Sequence, residues 1–218
     1  MLRKITLADG TETFLNEELQ VCYHSQAGVI AEAMEKYVVP CKIPELAKRG
    51  ELQLLDVGFG LGYHAALAIQ HAQEHNPQCA ITVVGLEKDR KILQHIVGMP
   101  FPIPSYTQFK RLRPPTFAFQ EKNVHVQVLL GDARKRVKEL AAEHFDAVFF
   151  DPFPPEKTPE LWEVAFLQDV ARVMKRAAVL ATYSGAPLVR ERLAAAGFFW
   201  DETKGEWGRR GTMAGKWG

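Results

Sequence analysis

The run Asp56-Val57-Gly58-Phe59-Gly60-Leu61-Gly62 sits between the apolar stretch Leu52 to Val57 and the helix-forming stretch Ala65 to Glu74, and it decides how the rest of the chain is read. An apolar strand that ends in glycines and passes into a helix opens a βαβ unit. The same rhythm returns downstream. Ala80 to Leu86 precedes a helix starting near Lys88, Val124 to Leu130 a helix from Ala133, Phe145 to Phe150 a helix from Pro159, and Ala177 to Tyr183 a helix opened near Pro187. Two terminal strands are predicted around Phe198-Trp200 and Gly211-Met213. Strands apolar along their whole length are covered on both faces, so the pattern predicts an α/β, Rossmann-like domain with a mostly parallel, seven-stranded sheet.

The flanks of this core read differently. Alternation about Asp9-Gly10 predicts an N-terminal β-hairpin. Val29, Ile30, Ala33, Met34 and Tyr37 then fall at helical spacing within Gln26 to Val38, with Pro40 and Pro44 closing the helix. Residues 1–50 are therefore an N-terminal extension. Residues 98–120, with Pro100, Pro102, Pro104, Pro114 and Pro115, form an insertion too long for an ordinary connection. The expectation is one domain over 1–218.

Composition narrows the class. At 218 residues, 47% apolar and 24% charged, the chain has the make-up of a globular domain, and one of this size buries roughly 70% of its unfolded surface. No apolar run approaches the roughly 20 residues that span a bilayer. Met1-Leu2-Arg3-Lys4-Ile5 opens no signal-peptide core, so no membrane contact and a cytoplasmic location are expected. A net charge of +1 excludes a polycation that holds nucleic acid indiscriminately. Cys22, Cys41 and Cys79 form no C-x-x-C pair, and His71 and His75 lack a third ligand, so no metal is expected.

A parallel sheet of this kind binds ligands at the carboxyl ends of its strands. Gly58, Gly60 and Gly62 let the backbone turn sharply and approach a ligand, and the helix that follows offers its N-terminus to a carboxylate. A phosphate-binding P-loop needs Lys-Ser/Thr after its last glycine, whereas Tyr63-His64 stand here. A dinucleotide loop reads G-x-G-x-x-G, whereas this one is G-x-G-x-G preceded by Asp56. The loop therefore points to S-adenosylmethionine and a class I methyltransferase. Glu87 ends the second strand, where a carboxylate can accept both ribose hydroxyls. Asp132 ends the third, where it can accept from the adenine amino group or cap the following helix.

The fourth strand ends in Asp151-Pro152-Phe153-Pro154-Pro155. Proline holds Asp151 extended, and the run looks like the Asp-Pro-Pro-Tyr signature of nucleic-acid amino-methyltransferases, in which the acid and nearby carbonyls receive an N–H of the target. An alkylamine with a pKa of about 10.4 costs roughly 4 to 5 kcal/mol to deprotonate at pH 7. A sulfonium about 5 Å away, at an effective dielectric near 20, disfavours the ammonium by about 3 kcal/mol. Asp151 then orients the amine and accepts its proton.

The residues together resemble a known family over nearly the whole chain: the methyltransferase unit of the tRNA 5-methylaminomethyl-2-thiouridine biosynthesis enzymes, the MnmC type. The resemblance is carried by Asp9-Gly10-Thr11 with Tyr23-His24-Ser25, by Leu55 through Tyr63, and by Asp151-Pro152-Phe153 with Pro159-Glu160-Leu161-Trp162. Ala181-Thr182-Tyr183-Ser184 and Gly208-Arg209-Arg210-Gly211-Thr212-Met213 complete it. It implies methyl transfer to the aminomethyl nitrogen of the wobble uridine, with the anticodon stem-loop of tRNA as partner. It further implies Tyr23, Ser25, Glu32 and Tyr63 near the cofactor, and Pro152, Tyr183 and Ser184 beside the amine. Known members are bifunctional and carry a flavin-dependent oxidase, whereas this chain stops at Gly218, so no flavin is expected.

For tRNA contact the candidates are Lys110, Arg111 and Arg113, set among Phe101, Tyr106, Phe109, Phe117 and Phe119 on the insertion. Arg134, Lys135, Arg136 and Lys138 form a second cluster, and Arg209 and Arg210 a third. Two rivals share the cofactor fold: an aminopropyltransferase, which needs further acids to seat a polyamine, and a non-catalytic RNA-binding module.

Overall fold

The computed structural model describes residues 1–26, 28–203 and 211–216. In chain order its strands are β1 (Leu2–Thr6), β2 (Glu12–Asn16), β3 (Val21–Cys22), β4 (Glu51–Val57), β5 (Ala80–Glu87), β6 (Ala118–Glu121), β7 (Val124–Leu130), β8 (Phe145–Phe150), β9 (Met174–Thr182), β10 (Phe198–Thr203) and β11 (Gly211–Lys216). The helices are α1 (Val29–Ala33), α2 (Ile43–Ala47), α3 (Tyr63–His75), α4 (Arg90–His95), α5 (Tyr106–Phe109), α6 (Ala133–Arg136), α7 (Val164–Val173) and α8 (Pro187–Ala195).

The main sheet runs β10-β11-β9-β8-β4-β5-β7-β6. β4 pairs in parallel with both β5 and β8, β7 continues from β5, and β9 continues from β8. The chain order therefore reverses on either side of β4, which is where a doubly wound sheet opens its ligand crevice. β4 shows why this strand sits in the middle. Leu52 and Leu54 enter the core on one face, and Leu55 and Val57 enter the core on the other. A strand covered on both faces is mostly apolar, and the buried acid of β4, Asp56, stands next to its last residue.

Two sequence expectations change. The sheet has eight strands rather than seven, because the insertion supplies β6 as an antiparallel edge strand on β7. The helix expected over Gln26 to Val38 is α1 followed by a π-helical turn, Met34–Val38, and Pro44 stands inside α2 rather than closing the helix before it. The wider turn carries one extra residue per hydrogen bond and turns Tyr37 toward the sheet. The N-terminal hairpin pairs as expected and gains a third strand, β3.

Tyr63 is one of the polar ties between the extension and the core. The Tyr63 hydroxyl donates to the Glu12 carbonyl at 2.9 Å, with the ring stacked on Phe101 at 4.0 Å. Tyr63→Phe keeps the stacking and leaves that carbonyl without its donor, so chemical denaturation is expected to show a loss of about 1 kcal/mol.

Candidate active site

The glycine loop is shaped by its neighbours more than by its own sequence. Gly58 stands at φ 86, and a Cβ there would run into the Asp151 carbonyl. Only a glycine lets the ends of β4 and β8 approach so closely. The Gly60 N–H donates to Glu87 Oε2 at 2.8 Å, while Glu87 Oε1 accepts the Lys88 and Asp89 N–H groups at 2.7 and 2.8 Å. Burial raises the Glu87 carboxyl above its ordinary range against these three hydrogen bonds, which favour the charged form. The acid expected to take ribose hydroxyls thus also holds the loop in shape.

Two cavities meet here. The larger, about 520 Å³, is lined by Gly58, Gly60, His64, Glu87 and Asp132. The smaller, about 270 Å³, is lined by Ser25, Glu32, Lys36 and Tyr183. Tyr23, His24, Asp151, Pro152 and Phe153 line both, so these residues form the wall between them. The larger volume lies in the range of small-molecule pockets. Its glycine cradle, which a Cβ would obstruct, and its strand-end acids fit the nucleoside and amino-acid portions of S-adenosylmethionine.

Asp151 is the most elaborately held side chain. Its own N–H donates to the Val57 carbonyl at 2.8 Å. Oδ1 accepts the Tyr37 hydroxyl at 2.5 Å, and Oδ2 lies 3.3 Å from His64 Nδ1. His64 stacks on Tyr37 with centroids 4.6 Å apart, and its Nε2 lies 4.0 Å from Glu32 Oε2, which accepts the Ser25 N–H at 2.9 Å. Burial by itself would push the His64 imidazole down. The hydrogen bond and charge of Asp151, with the charges of Glu32 and Asp56, outweigh it and raise the group to about 9. Burial lifts Glu32 to about 7 and Asp56 to about 7, with His64 pulling both the other way. Burial, then the Asp151 charge, keeps Tyr37 well above its ordinary value, so it stays a donor.

The loop after Asp151 is held by its carbonyls, because prolines 152, 154 and 155 bring no N–H. Tyr183 donates to the Pro152 carbonyl at 3.1 Å, and Thr158 Oγ1 and Trp162 Nε1 to the Phe153 carbonyl at 2.6 and 2.9 Å.

Other expected site residues lie elsewhere. Tyr63 points back toward the extension, not into a cavity, and Gly62 packs against Phe59 and Phe109 behind the loop. A helix turns about 100° per residue, so the position after Tyr63 faces the crevice instead. Ser25 and Glu32 line the smaller cavity and not the larger. Ser184 is buried away from both; its carbonyl accepts the Thr212 hydroxyl at 2.8 Å, tying β11 to the end of β9. Asp132 lines the larger cavity and also caps α6, accepting the Arg134 N–H at 3.0 Å; the Arg134 side-chain hydrogen bond holds its carboxyl down at about 2.

The insertion is corrected most. Tyr106, Phe109, Phe117 and Phe119 are buried, so aromatics expected to stack RNA bases are core packing that joins the insertion to α3. Lys110, Arg111 and Arg113 remain exposed, with Arg111 2.9 Å from Glu121. Arg134 is paired with Asp132, Arg136 bonds the Leu130 carbonyl and Glu139, and Lys138 reaches Asp169. Lys135 is exposed. Arg209 and Arg210 lie outside the described residues. Sequence reasoning does not single out Tyr37 or His64: Tyr37 reads as helix spacing, and His64 is two residues past the last glycine of the loop.

A strand-switch crevice with this loop, and acids closing two of its strands, defines a methyltransferase. Residues 105–217 match the family described as S-adenosyl-L-methionine-dependent methyltransferase, and the chain belongs to that family. It is similar to the crystal structure of MnmC2 from Aquifex aeolicus, with 36% identity and a TM-score of 0.89 over 99% of this chain and 70% of that one. It is 32% identical over 203 residues to the tRNA 5-methylaminomethyl-2-thiouridine biosynthesis bifunctional protein MnmC of Methylibium petroleiphilum, covering 86% of this chain and 30% of that one. The chain thus spans less than a third of that relative's length. Spermidine synthase from Thermotoga maritima shares the fold, with 12% identity and a TM-score of 0.57 over 94% of this chain and 67% of that one. Among the described residues no helix is long and apolar enough to cross a membrane.

Glu87→Ala removes the acceptor for Gly60 and the one expected for the cofactor, and calorimetry is expected to show at least tenfold weaker S-adenosylmethionine binding, about 1.4 kcal/mol. Tyr63→Phe, whose hydroxyl faces the other way, is expected to leave that affinity within twofold.

Proposed function

We propose that the chain methylates the exocyclic aminomethyl nitrogen of a wobble uridine in tRNA. The carrying observation is that Asp151 and its loop form the wall shared by the two cavities. A donor on one side and an amine on the other would meet at one carboxylate. The names of the MnmC2 and MnmC relatives support tRNA as the acceptor's source.

When bound, S-adenosylmethionine supplies a methyl group on a positively charged sulfur. The chain's own contribution is orientation and charge. Tyr37 and His64 hold the Asp151 carboxylate, which lines both cavities. An amine there can donate to Asp151, and the Pro152 carbonyl lies beside it. Tyr23 and Phe153, in edge contact at 4.9 Å, stand in the wall between the two cavities. Holding the nitrogen in line with the methyl then accounts for most of the rate.

Polyanion contact is assigned to the rim of the larger cavity, where Lys88, Lys91 and Lys157 are exposed, rather than to aromatic stacking on the insertion. Lys110, Arg113 and Lys135 extend the basic surface. Replacing Lys88, Lys91 and Lys157 with glutamate is expected to weaken tRNA binding at least tenfold and flatten its salt dependence, with S-adenosylmethionine affinity unchanged. Equal tRNA affinity for both proteins across about 50 to 300 mM salt, where the screening length falls from about 14 to about 6 Å, would remove the rim from the contact surface.

An aminopropyltransferase is the second reading, because Glu32 and Glu35 stand beside Asp151 in the smaller cavity. One assay separates the two. The protein is incubated with labelled S-adenosylmethionine and tRNAs of defined wobble side chain, and in parallel with the decarboxylated cofactor and a diamine. Label in 5-methylaminomethyluridine is expected, and Asp151→Ala should lower it at least a hundredfold. Label only in a polyamine would overturn the reading.

A further inference from the structure

Two neighbouring acceptors stand at the smaller cavity, the Asp151 carboxylate and the Pro152 carbonyl, and each is held by a different part of the fold. Tyr37 donates to Asp151 Oδ1, and His64 lies against Oδ2. The Pro152 carbonyl accepts the Tyr183 hydroxyl at 3.1 Å, and the Tyr183 ring stands perpendicular to Trp162 with centroids 6.2 Å apart. Trp162 is buried and donates to the next carbonyl, that of Phe153, at 2.9 Å. The Tyr183 hydroxyl thus ties the end of β9 to the loop after β8. Burial, then the charges of Asp151, Glu156 and Glu32, keep the phenol well above its ordinary range, so it stays a neutral donor. Asp151, Pro152 and Tyr183 all line the smaller cavity.

A neutral primary amine has one lone pair and two N–H groups. With the lone pair aimed at the methyl carbon, one N–H goes to Asp151 and the other to the Pro152 carbonyl, which has two lone pairs and gives one to Tyr183. A secondary amine that aims its lone pair the same way must put its methyl where one of those N–H groups was. Along an N–H···O bond of about 2.9 Å, a methyl needs about 1.5 Å for its bond to nitrogen and about 3.3 Å more to clear the oxygen. The nitrogen is driven back by about 2 Å, and a misplacement of about 1 Å already costs on the order of a hundredfold in rate. Turning the methyl toward Asp151 instead meets a carboxylate that also has two holders, and takes from it the N–H it would have received.

Resting on the amine reading above, we propose that Tyr183 is the positioning residue that stops the reaction at one methyl per nitrogen: by holding the Pro152 carbonyl in place it lets a primary amine react and turns a secondary amine out of line. The step it permits balances. The arriving ammonium loses one proton to Asp151. The neutral nitrogen forms its bond to the methyl carbon as the carbon–sulfur bond breaks with its electron pair going to sulfur, and the product leaves as a secondary ammonium with two N–H groups.

Removing the hydroxyl loosens this one point and little else. Prolines 152, 154 and 155 bring no N–H to tie the loop, so the Pro152 carbonyl without Tyr183 gains freedom to turn aside. A space the size of one oxygen opens in the cavity wall beside it. The Phe153 carbonyl keeps its two donors, Thr158 and Trp162, and these hold the rest of the loop.

Two measurements decide the matter. In the first, tRNA bearing 5-aminomethyluridine is methylated to completion with excess S-adenosylmethionine, and its nucleosides are identified by mass spectrometry. The unaltered protein is expected to stop at the monomethyl product. Tyr183→Phe, which keeps the ring against Trp162, is expected to carry at least a tenfold larger share on to the dimethyl product. Dimethyl product as the main outcome for the unaltered protein, monomethyl product alone from Tyr183→Phe, or a variant that binds S-adenosylmethionine yet methylates nothing would each overturn the assignment. The second measurement needs no variant. The unaltered protein, saturated with S-adenosylhomocysteine, is titrated with tRNAs whose wobble uridine carries a methylaminomethyl or a dimethylaminomethyl group. The dimethyl form is expected to bind at least tenfold more weakly, and equal affinities would also overturn the assignment. No transfer at all to aminomethyl tRNA by the unaltered protein would refute the amine reading itself, whereas a single methyl from both proteins refutes only the restriction assigned to Tyr183.

Discussion

The ends of β4 and β8 touch: Gly58 lies against the Asp151 carbonyl, and the Asp151 N–H is bonded to Val57. This contact sets the wall between the two cavities and brings the acid of one strand beside the glycine cradle of the other. It exists because a parallel sheet places both carboxyl ends on one edge, and because a residue without a Cβ stands where the loops cross. Glu87 extends the arrangement to β5, holding the Gly60 amide with one oxygen while the other fixes the start of the next loop. Three adjacent strands thus share a hydrogen-bonded rim that shapes the crevice.

The charges inside this rim are poorly explained as stabilisers of the fold. At 3.3 Å and an effective dielectric near 20, His64 and Asp151 attract by roughly 5 kcal/mol. Desolvating two ions costs several kcal/mol each, so such a pair roughly breaks even. Glu32 and Asp56 beside it add burial cost without hydrogen bonds of matching number. An amine-directed site of the proposed kind has a use for this excess of acid. The same electrostatics place the lysines at the rim and the acids on the floor, a division suited to a substrate with a polyanionic backbone and a cationic reacting group.

The extension and the insertion, at first sight decoration, complete the site from behind. Glu32 reaches His64 from α1, and Tyr37 reaches Asp151 from the π-helical turn that follows it. The insertion's aromatics pack under α3 and steady the helix that carries His64. Their burial answers a question that spacing alone leaves open: alternating bases and aromatics can serve an RNA surface or a hydrophobic underside with a solvated exterior, and here they serve the second.

The sequence by itself determined the order of the parallel strands β4, β5, β7, β8 and β9, the glycine loop and the acids at 87, 132 and 151 near strand ends. These follow from local rules: apolar runs demand burial, glycines permit left-handed turns, and a strand's last residue projects from the sheet edge. Only the tertiary structure decided that Tyr63 turns away and His64 turns in, that Ser184 serves the sheet, and that Tyr37 is a partner of Asp151 rather than plain core. Those outcomes depend on helix phase and on contacts across 114 residues of chain, as between Tyr37 and Asp151. No periodicity within a window of the sequence carries such information, because burial and hydrogen-bond partners at long range are set by how the layers meet.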